Sequence, residues 1–190
     1  MYKSDAFPEI CFENENAKLF ADYWSSLPKV GLVPMRSSFD PCDVPTILST
    51  FEIHEFRDPD NIIVRLSGAE LADRYGFDIT GKNYLDVVQS DRRDKVRRAL
   101  SHIVDHPSGM LVYIEGARES GLVQVSESVG FPFCDNDGDI TQVIYQDNLC
   151  DPVSYWDYRS DQRKDSRALR RLYIDIGKGI PDWCHGEDSA

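Results

Sequence analysis

Two groups of strand segments separated by helices are the feature that most constrains the fold of this sequence. Residues 51–56, FEIHEF, alternate in the manner of a strand, and the turn RDPDN leads into the β-branched segment at 62–68, which predicts a hairpin. Three further strands are predicted between residues 109 and 148, and Asp137-Gly138 forms the tip of their second turn. Because strands and helices do not alternate one by one, a parallel doubly wound sheet is excluded.

The segment between the two strand groups is helical by pattern. Residues 69–76 predict a short helix that stops at Gly76, and residues 83–88 predict at most another turn or two. Residues 90–107 predict a longer helix with an apolar stripe at 96, 100, 103 and 104. We therefore predict an α+β fold: a five-stranded antiparallel sheet with short helices and one longer helix over one face.

An N-terminal helix and a C-terminal extension flank this unit. Asn14 or Asn16 caps a helix that ends at Pro28. The apolar stripe of this helix either packs on the chain's own sheet or forms a dimer interface. The stripe comprises Leu19, Phe20, Tyr23, Trp24 and Leu27. A helix is predicted near 161–172. We divide the chain into 1–41 (helix and connector), 42–150 (sheet and helices) and 151–190 (extension).

Charge and cysteine content limit the classes of function. The net charge of −12 disfavours general nucleic-acid binding, because the phosphate backbone would repel the chain. Basic clusters at 92–98 and 163–171 are either solvated helix faces or contacts for an acidic partner. Five widely spaced cysteines favour reduced thiols over disulfides or a metal site. No signal peptide or membrane span is predicted, so we expect a cytoplasmic protein.

The turn GFDITGKNYLDVV at 76–88 carries a family resemblance. It resembles the PAS superfamily of sensor domains through Gly76, Asp78, Thr80, Gly81, Lys82, Asp86 and Val87. Other segments resemble a family of small stand-alone bacterial PAS proteins, namely Trp24, Pro34, Arg36, residues 39–41, Pro45, residues 65–76 and residues 131–133. The resemblance spans about residues 16 to 150. It implies a PAS-like fold with a small cavity between the sheet and the short helices.

The candidate ligand-binding residues are Arg65, Tyr75, Tyr84, Val125 and Glu127. Glu127 interrupts an apolar strand face, and an isolated buried carboxylate is costly, so it needs a partner. We predict that Arg65 is that partner and that the pair lies in or at the mouth of the cavity. A β-bulge would instead turn Glu127 outward.

Cofactor chemistry and catalysis are not predicted. Light-sensing PAS relatives place a cysteine where this chain has Tyr84, and His102 and His106 are better explained as surface residues near a helix C-terminus than as haem ligands. Glu52, His54 and Glu55 alternate along a strand, so they cannot all face one site. No hydrolase or nucleotide-binding motif occurs.

These observations predict a cytoplasmic, non-enzymatic PAS-like sensory or interaction module of bacterial signalling. We expect a homodimer that contacts an unidentified signalling protein and binds an unidentified small ligand, with no cofactor, nucleic acid or membrane partner. The alternatives are an enzyme or carrier with a similar helix-over-sheet pocket, and an adaptor whose core is filled.

Overall fold

The computed structural model describes residues 1–151 and 163–181, in which the largest sheet has six antiparallel strands. In chain order the strands are β1 (Phe51–Asp58), β2 (Asn61–Ser67), β3 (Gly109–Arg118), β4 (Val123–Cys134), β5 (Ile140–Leu149) and β6 (Arg163–Ile174). Their spatial order is β6-β3-β4-β5-β1-β2. The predicted α+β, PAS-like class is confirmed.

Strand β6 corrects one prediction. It pairs with β3 along its whole length, from Arg163 opposite Arg118 to Ile174 opposite Gly109. The helix expected near 161–172 is therefore wrong for the described residues from 163 onward, and the sheet has one strand more than the five predicted. Without β6, strand β3 would present an unpaired edge. Satisfying that edge outweighs the helix propensity of an arginine- and leucine-rich segment.

Three helices cover one face of this sheet, which we call the cavity face. They are α2 (Ala69–Tyr75), α3 (Tyr84–Val87) and α4 (Arg93–Asp105). Gly76 takes a left-handed φ of 83° at the end of α2, as predicted for a glycine stop. The buried side chains Leu85, Leu100 and Ile103 pack against the inward residues of the strands. The predicted placement of the short helices and the longer helix over one face is confirmed.

The N-terminal helix covers the opposite face, which we call the α1 face. Helix α1 runs from Glu15 to Ser26, and the Asn14 side chain accepts a hydrogen bond of 2.9 Å from the Asn16 backbone, which confirms the predicted cap. The indole of Trp24 stacks on Phe131 with ring centroids 4.7 Å apart and donates to the Pro132 carbonyl at 3.0 Å. The sheet is therefore the middle layer of the fold.

The alternation along β4 determines what each face can do. Val129, Phe131 and Phe133 point to the α1 face, where they join the larger hydrophobic core. Ser126 and Ser128, at the intervening positions, line the space under α2 to α4. The α1 face is thus mainly apolar and covered by α1, whereas the cavity face carries polar side chains.

The connector between α1 and β1 is irregular, as predicted. It contains short 3-10 helices at Arg36–Ser38, Pro41–Asp43 and Pro45–Thr50. Two-residue strands at Lys29–Val30 and Val33–Pro34 pair with each other, as do Tyr2–Lys3 and Cys11–Phe12 nearer the N-terminus.

Candidate ligand-binding site

A cavity lies between the sheet and helices α2 to α4. It has an outer part of about 140 Å³ and an inner part of about 50 Å³, measured as the space open to the centre of a water molecule. One water needs roughly 10–15 Å³ by this measure, so the space suits a small molecule. Both parts share walls formed by Leu71, Tyr75, Tyr84, Leu100, Met110, Val112, Ile114 and Asp147.

The inner part contains a buried acid–imidazole pair. Glu52 and His54 lie two residues apart on β1, so both side chains point into the cavity. The His54 Nε2 atom is 3.0 Å from the Glu52 carboxylate, and the Ser67 hydroxyl donates to the other carboxylate oxygen at 3.1 Å. In the tautomer that carries its hydrogen on Nε2, His54 donates to Glu52 and its Nδ1 atom is an acceptor.

Two tyrosines enclose the His54 ring. The ring centroid of Tyr84 is 4.6 Å away and that of Tyr145 is 4.9 Å away. Within residues 1–151 and 163–181, neither Nδ1 of His54 nor the hydroxyl of Tyr145 has a hydrogen-bond partner, although both residues are buried. Burial raises the pKa of Tyr145 well above its usual value, so its hydroxyl keeps its proton. The inner part therefore presents two polar atoms that are free to bind.

The absence of a side chain at Gly130 makes room for the Tyr145 ring. Gly130 on β4 lies opposite Tyr145 on β5, and a Cβ atom at residue 130 would lie 2.2 Å from the tyrosine ring. Only a residue without a side chain allows the ring to cross the neighbouring strand at this distance.

A buried ion pair lines the cavity, with Arg74 at the outer part and Asp147 at both parts. Arg74 of α2 donates to the Asp147 carboxylate of β5 at 2.7 Å and to the Asp147 carbonyl at 2.8 Å. Burial lowers the pKa of Arg74, but the charge and hydrogen bond of Asp147 outweigh burial and raise it. The Ser126 hydroxyl donates to the second carboxylate oxygen at 3.3 Å. This pair fixes the short helix α2 to the sheet.

The outer part is basic. Among the described residues that line it are five arginines and one carboxylate, that of Asp147. The arginines are Arg74, Arg92, Arg118, Arg167 and Arg171. Three of them belong to the two basic clusters of the sequence, which the fold brings to one opening. The overall charge of −12 therefore conceals a locally positive site.

Comparison with known proteins identifies the family. A sequence model of the PAS domain matches residues 12–144, more than half of the chain. This chain belongs to the PAS domain family. No curated protein matches the chain.

Several solved structures are similar to part of this chain at low identity. A light-oxygen-voltage domain studied with a flavin analogue is 17% identical, with a TM-score of 0.43, over 62% of this chain and 86% of that chain. The light-state LOV domain of the blue-light photoreceptor aureochrome1 is 20% identical, with a TM-score of 0.40, over 62% and 90%. VqmA of Vibrio cholerae, in a complex with ligand and DNA, is 8% identical, with a TM-score of 0.45, over 58% and 52%.

Two of the five predicted ligand-binding residues line the cavity of this PAS domain. Tyr75 and Tyr84 contribute to both of its parts. Arg65 is about half exposed and forms an ion pair with Glu55 at 3.3 Å instead of with Glu127. Val125 and Glu127 belong to the α1-facing set of β4 residues and line neither part of the cavity.

Glu127 is fully buried, as its pattern indicated, but its partners are different. Its two carboxylate oxygens accept from the backbone N–H groups of Glu13 and Asn14, at 2.8 and 2.9 Å, and the Tyr113 hydroxyl donates to it at 3.0 Å. Burial raises the pKa of Glu127 despite these three bonds, and burial beside Glu127 also raises the pKa of Tyr113. The predicted Arg65–Glu127 pair is therefore wrong. The alternation of side chains along a strand shows which residues share a face, but it does not show which helices cover that face.

The α1 stripe packs mainly on the chain's own sheet, which is one of its two interpretations. Phe20, Trp24 and Leu27 are buried in the core, and Tyr23 contacts the edge of that core and bonds to the Asp40 carbonyl. Leu19 is 39% exposed. Phe20, Trp24 and Leu27 are thus not available as interface residues, whereas Leu19 remains on the surface.

The cavity residues that the sequence reasoning missed carried a usable signal. Glu52 and His54 have the same parity on a predicted strand, which places them on one face. Tyr145 and Asp147 repeat that parity on β5. Arg171 carried none, because it was assigned to a helix.

The two histidines considered as haem ligands lie outside the cavity lining. Nε2 of His106 contacts the Gly179 carbonyl at 2.8 Å, and Nδ1 of His102 lies 3.4 Å from the Tyr173 hydroxyl. In the described part of the chain, no cluster of three or more histidine, cysteine or acidic side chains is arranged to hold a metal. No helix there has the length and apolar character needed to cross a bilayer.

Proposed function

We propose that this PAS domain is a cytoplasmic sensory module of bacterial signalling that binds a small polar molecule and has no enzymatic activity. PAS domains are sensory or interaction modules, and the cavity between the sheet and α2 to α4 supplies a binding space. Ligand occupancy would be transmitted to an unidentified signalling protein through surfaces outside the cavity.

The unpartnered atoms of His54 and Tyr145 carry this proposal. Both residues are more than nine-tenths buried, and both line the inner part of the cavity. A buried polar atom without a partner costs free energy, roughly 1–3 kcal/mol. A filled-core adaptor would gain by placing apolar side chains at these positions, so their polarity favours a ligand that bonds to them.

The arrangement of the helices supports a sensing role. Helix α3 has four residues and holds few buried contacts, so it shifts at modest cost. Arg74 of α2 and Tyr84 of α3 both contact the cavity. A ligand that bonds near them would change the position of these helices.

An enzyme or carrier is the second candidate, because Glu52 and His54 form a hydrogen-bonded pair of titratable groups inside the cavity. Such a pair is also found where an imidazole acts as a general base. A non-catalytic role for the pair is to hold the imidazole so that Nδ1 faces the ligand.

Native mass spectrometry of the purified protein, beside its visible absorption spectrum, tests the proposal. We expect a bound small molecule, and no haem or flavin absorbance. The bound molecule should be lost or weakened in His54→Gln and Tyr145→Phe, whereas Arg65→Met, on an exposed strand position, should keep it.

Two results would contradict the proposal. A protein that carries no small molecule and whose Tyr145→Phe variant gains stability would indicate a filled adaptor core. A molecule that is converted to a product during incubation with the wild type, but not with His54→Gln, would indicate the enzyme.

A further inference from the structure

We propose that the ligand carries a carboxylate and that Arg171 of β6 binds it, together with Arg74 and the hydroxyl of Tyr145. This inference rests on the proposed function, since it names the chemical class that the cavity selects.

The unpartnered donors define the ligand's chemistry. Within the described residues, Nε of Arg171, Nε of Arg74 and the hydroxyl of Tyr145 are buried and have no hydrogen-bond partner. Guanidinium nitrogens can only donate, so the missing partner must supply acceptor oxygens. Arg74 and Tyr145 are both more than nine-tenths buried.

The register of β6 directs Arg171 into the cavity. Arg171 lies opposite Val112 of β3, and side chains directly opposite in an antiparallel pair share one face. Val112 lines both parts of the cavity, and Arg171 lines the outer part. The charge of Arg171 also opposes the rise of the Tyr145 pKa that burial causes, which is consistent with the two groups facing one space.

The charge balance leaves Arg171 available. Arg74 is paired with Asp147 at 2.7 Å, Arg92 with Asp165 at 2.8 Å, and Arg167 with Glu115 at 2.8 Å. Arg171 forms no ion pair with any carboxylate in residues 1–151 and 163–181. A half-buried guanidinium without a counter-charge favours an anionic ligand.

The cavity favours an organic monocarboxylate over phosphate. Its walls include the apolar side chains of Leu71, Leu100, Met110, Val112 and Ile114 and the rings of Tyr75 and Tyr84. The single charge of a carboxylate matches that of Arg171, whereas phosphate at neutral pH carries nearly two. The best fit is a carboxylate joined to an apolar or aromatic body.

Titration calorimetry with benzoate, 3-phenylpropionate, their two amides and inorganic phosphate tests the inference. We expect a carboxylate to bind at least about tenfold more tightly than its amide, because a hydrogen bond to a charged group exceeds a neutral one. Arg171→Met should remove that preference. The matched control is Arg170→Met, since Arg170 is exposed on the opposite face of the same strand, opposite Tyr113.

The outcomes separate this inference from the proposed function. An amide that binds as well as its carboxylate, or a carboxylate preference that survives in Arg171→Met, overturns the inference while leaving the ligand-binding module intact. Binding of phosphate alone, or of none of the five compounds at millimolar concentrations, also overturns it. If native mass spectrometry additionally finds no bound molecule, the proposed function fails as well.

Discussion

The backbone N–H of Asn14 donates a 2.9 Å hydrogen bond to the carboxylate of Glu127, across 113 residues of sequence. Asn14 caps α1, so a buried side chain of the central strand holds the start of the N-terminal helix on the sheet. The N-terminal end of a helix carries a partial positive charge, which favours a carboxylate at this place.

The first prediction concerns this attachment. Glu127→Gln should lower the free energy of unfolding by about 1–3 kcal/mol, because a glutamine has one acceptor oxygen and one backbone N–H loses its partner. Arg65→Met should cost roughly 0–1 kcal/mol, since its ion pair with Glu55 is exposed. Chemical denaturation of both variants and the double variant measures this. We expect the two changes in the free energy of unfolding to add within about 0.5 kcal/mol. A larger coupling would support the Arg65–Glu127 pair instead.

The second prediction is a pH dependence that comes from Glu127. Burial raises its folded-state pKa above the ordinary value of 4.5. Ionisation is thus harder in the folded state, and the contribution of Glu127 to stability is fully present below pH 4.5 and is lost as the pH rises through the folded pKa. The wild type should lose stability relative to Glu127→Gln over this range. Denaturation curves at several pH values measure the difference, and a constant difference would contradict the assignment.

The third prediction concerns the ion pair of α2. Arg74→Met or Asp147→Asn alone should cost about 3–5 kcal/mol, because each leaves a buried polar or charged group without its partner. The double variant should cost less than the sum of the two. Thermal or chemical denaturation measures the coupling, with Arg167→Met at an exposed pair as the control. Simple additivity of the two buried substitutions would show that the pair does not hold α2.

The fourth prediction concerns the proposed homodimer. Of the five stripe residues of α1, Leu19 is the most exposed, at 39%. If α1 forms the contact, Leu19→Asp should convert a dimer to a monomer without unfolding it, because Leu19 lies outside the core. Sedimentation beside circular dichroism measures both properties. A wild type that sediments as a monomer would contradict the proposed homodimer. A Leu19→Asp variant that remains dimeric would show that the dimer contact does not depend on Leu19.

Local chemistry was sufficient to predict much of this fold. The turn residues at 57–61 and at Asp137-Gly138, the glycine stop at Gly76 and the cap at Asn14 act over a few residues. Hairpins join neighbours in sequence, so five of the six strands followed from pattern alone. The proposed division into 1–41, 42–150 and 151–190 stays a prediction.

The candidate site depended on contacts that sequence patterns do not contain. The alternation along the strand predicted that Glu127 is buried. It did not show which face Glu127 lies on, because α1 covers one face of the sheet and α2 to α4 cover the other. The pairing of β6 with β3 joins segments some 50 residues apart and overrides helix propensity. The sequence by itself thus determined the strands, the turns and the PAS resemblance. Only the tertiary structure placed Arg171, Arg74, His54 and Tyr145 around one cavity, because long-range pairing sets which faces meet.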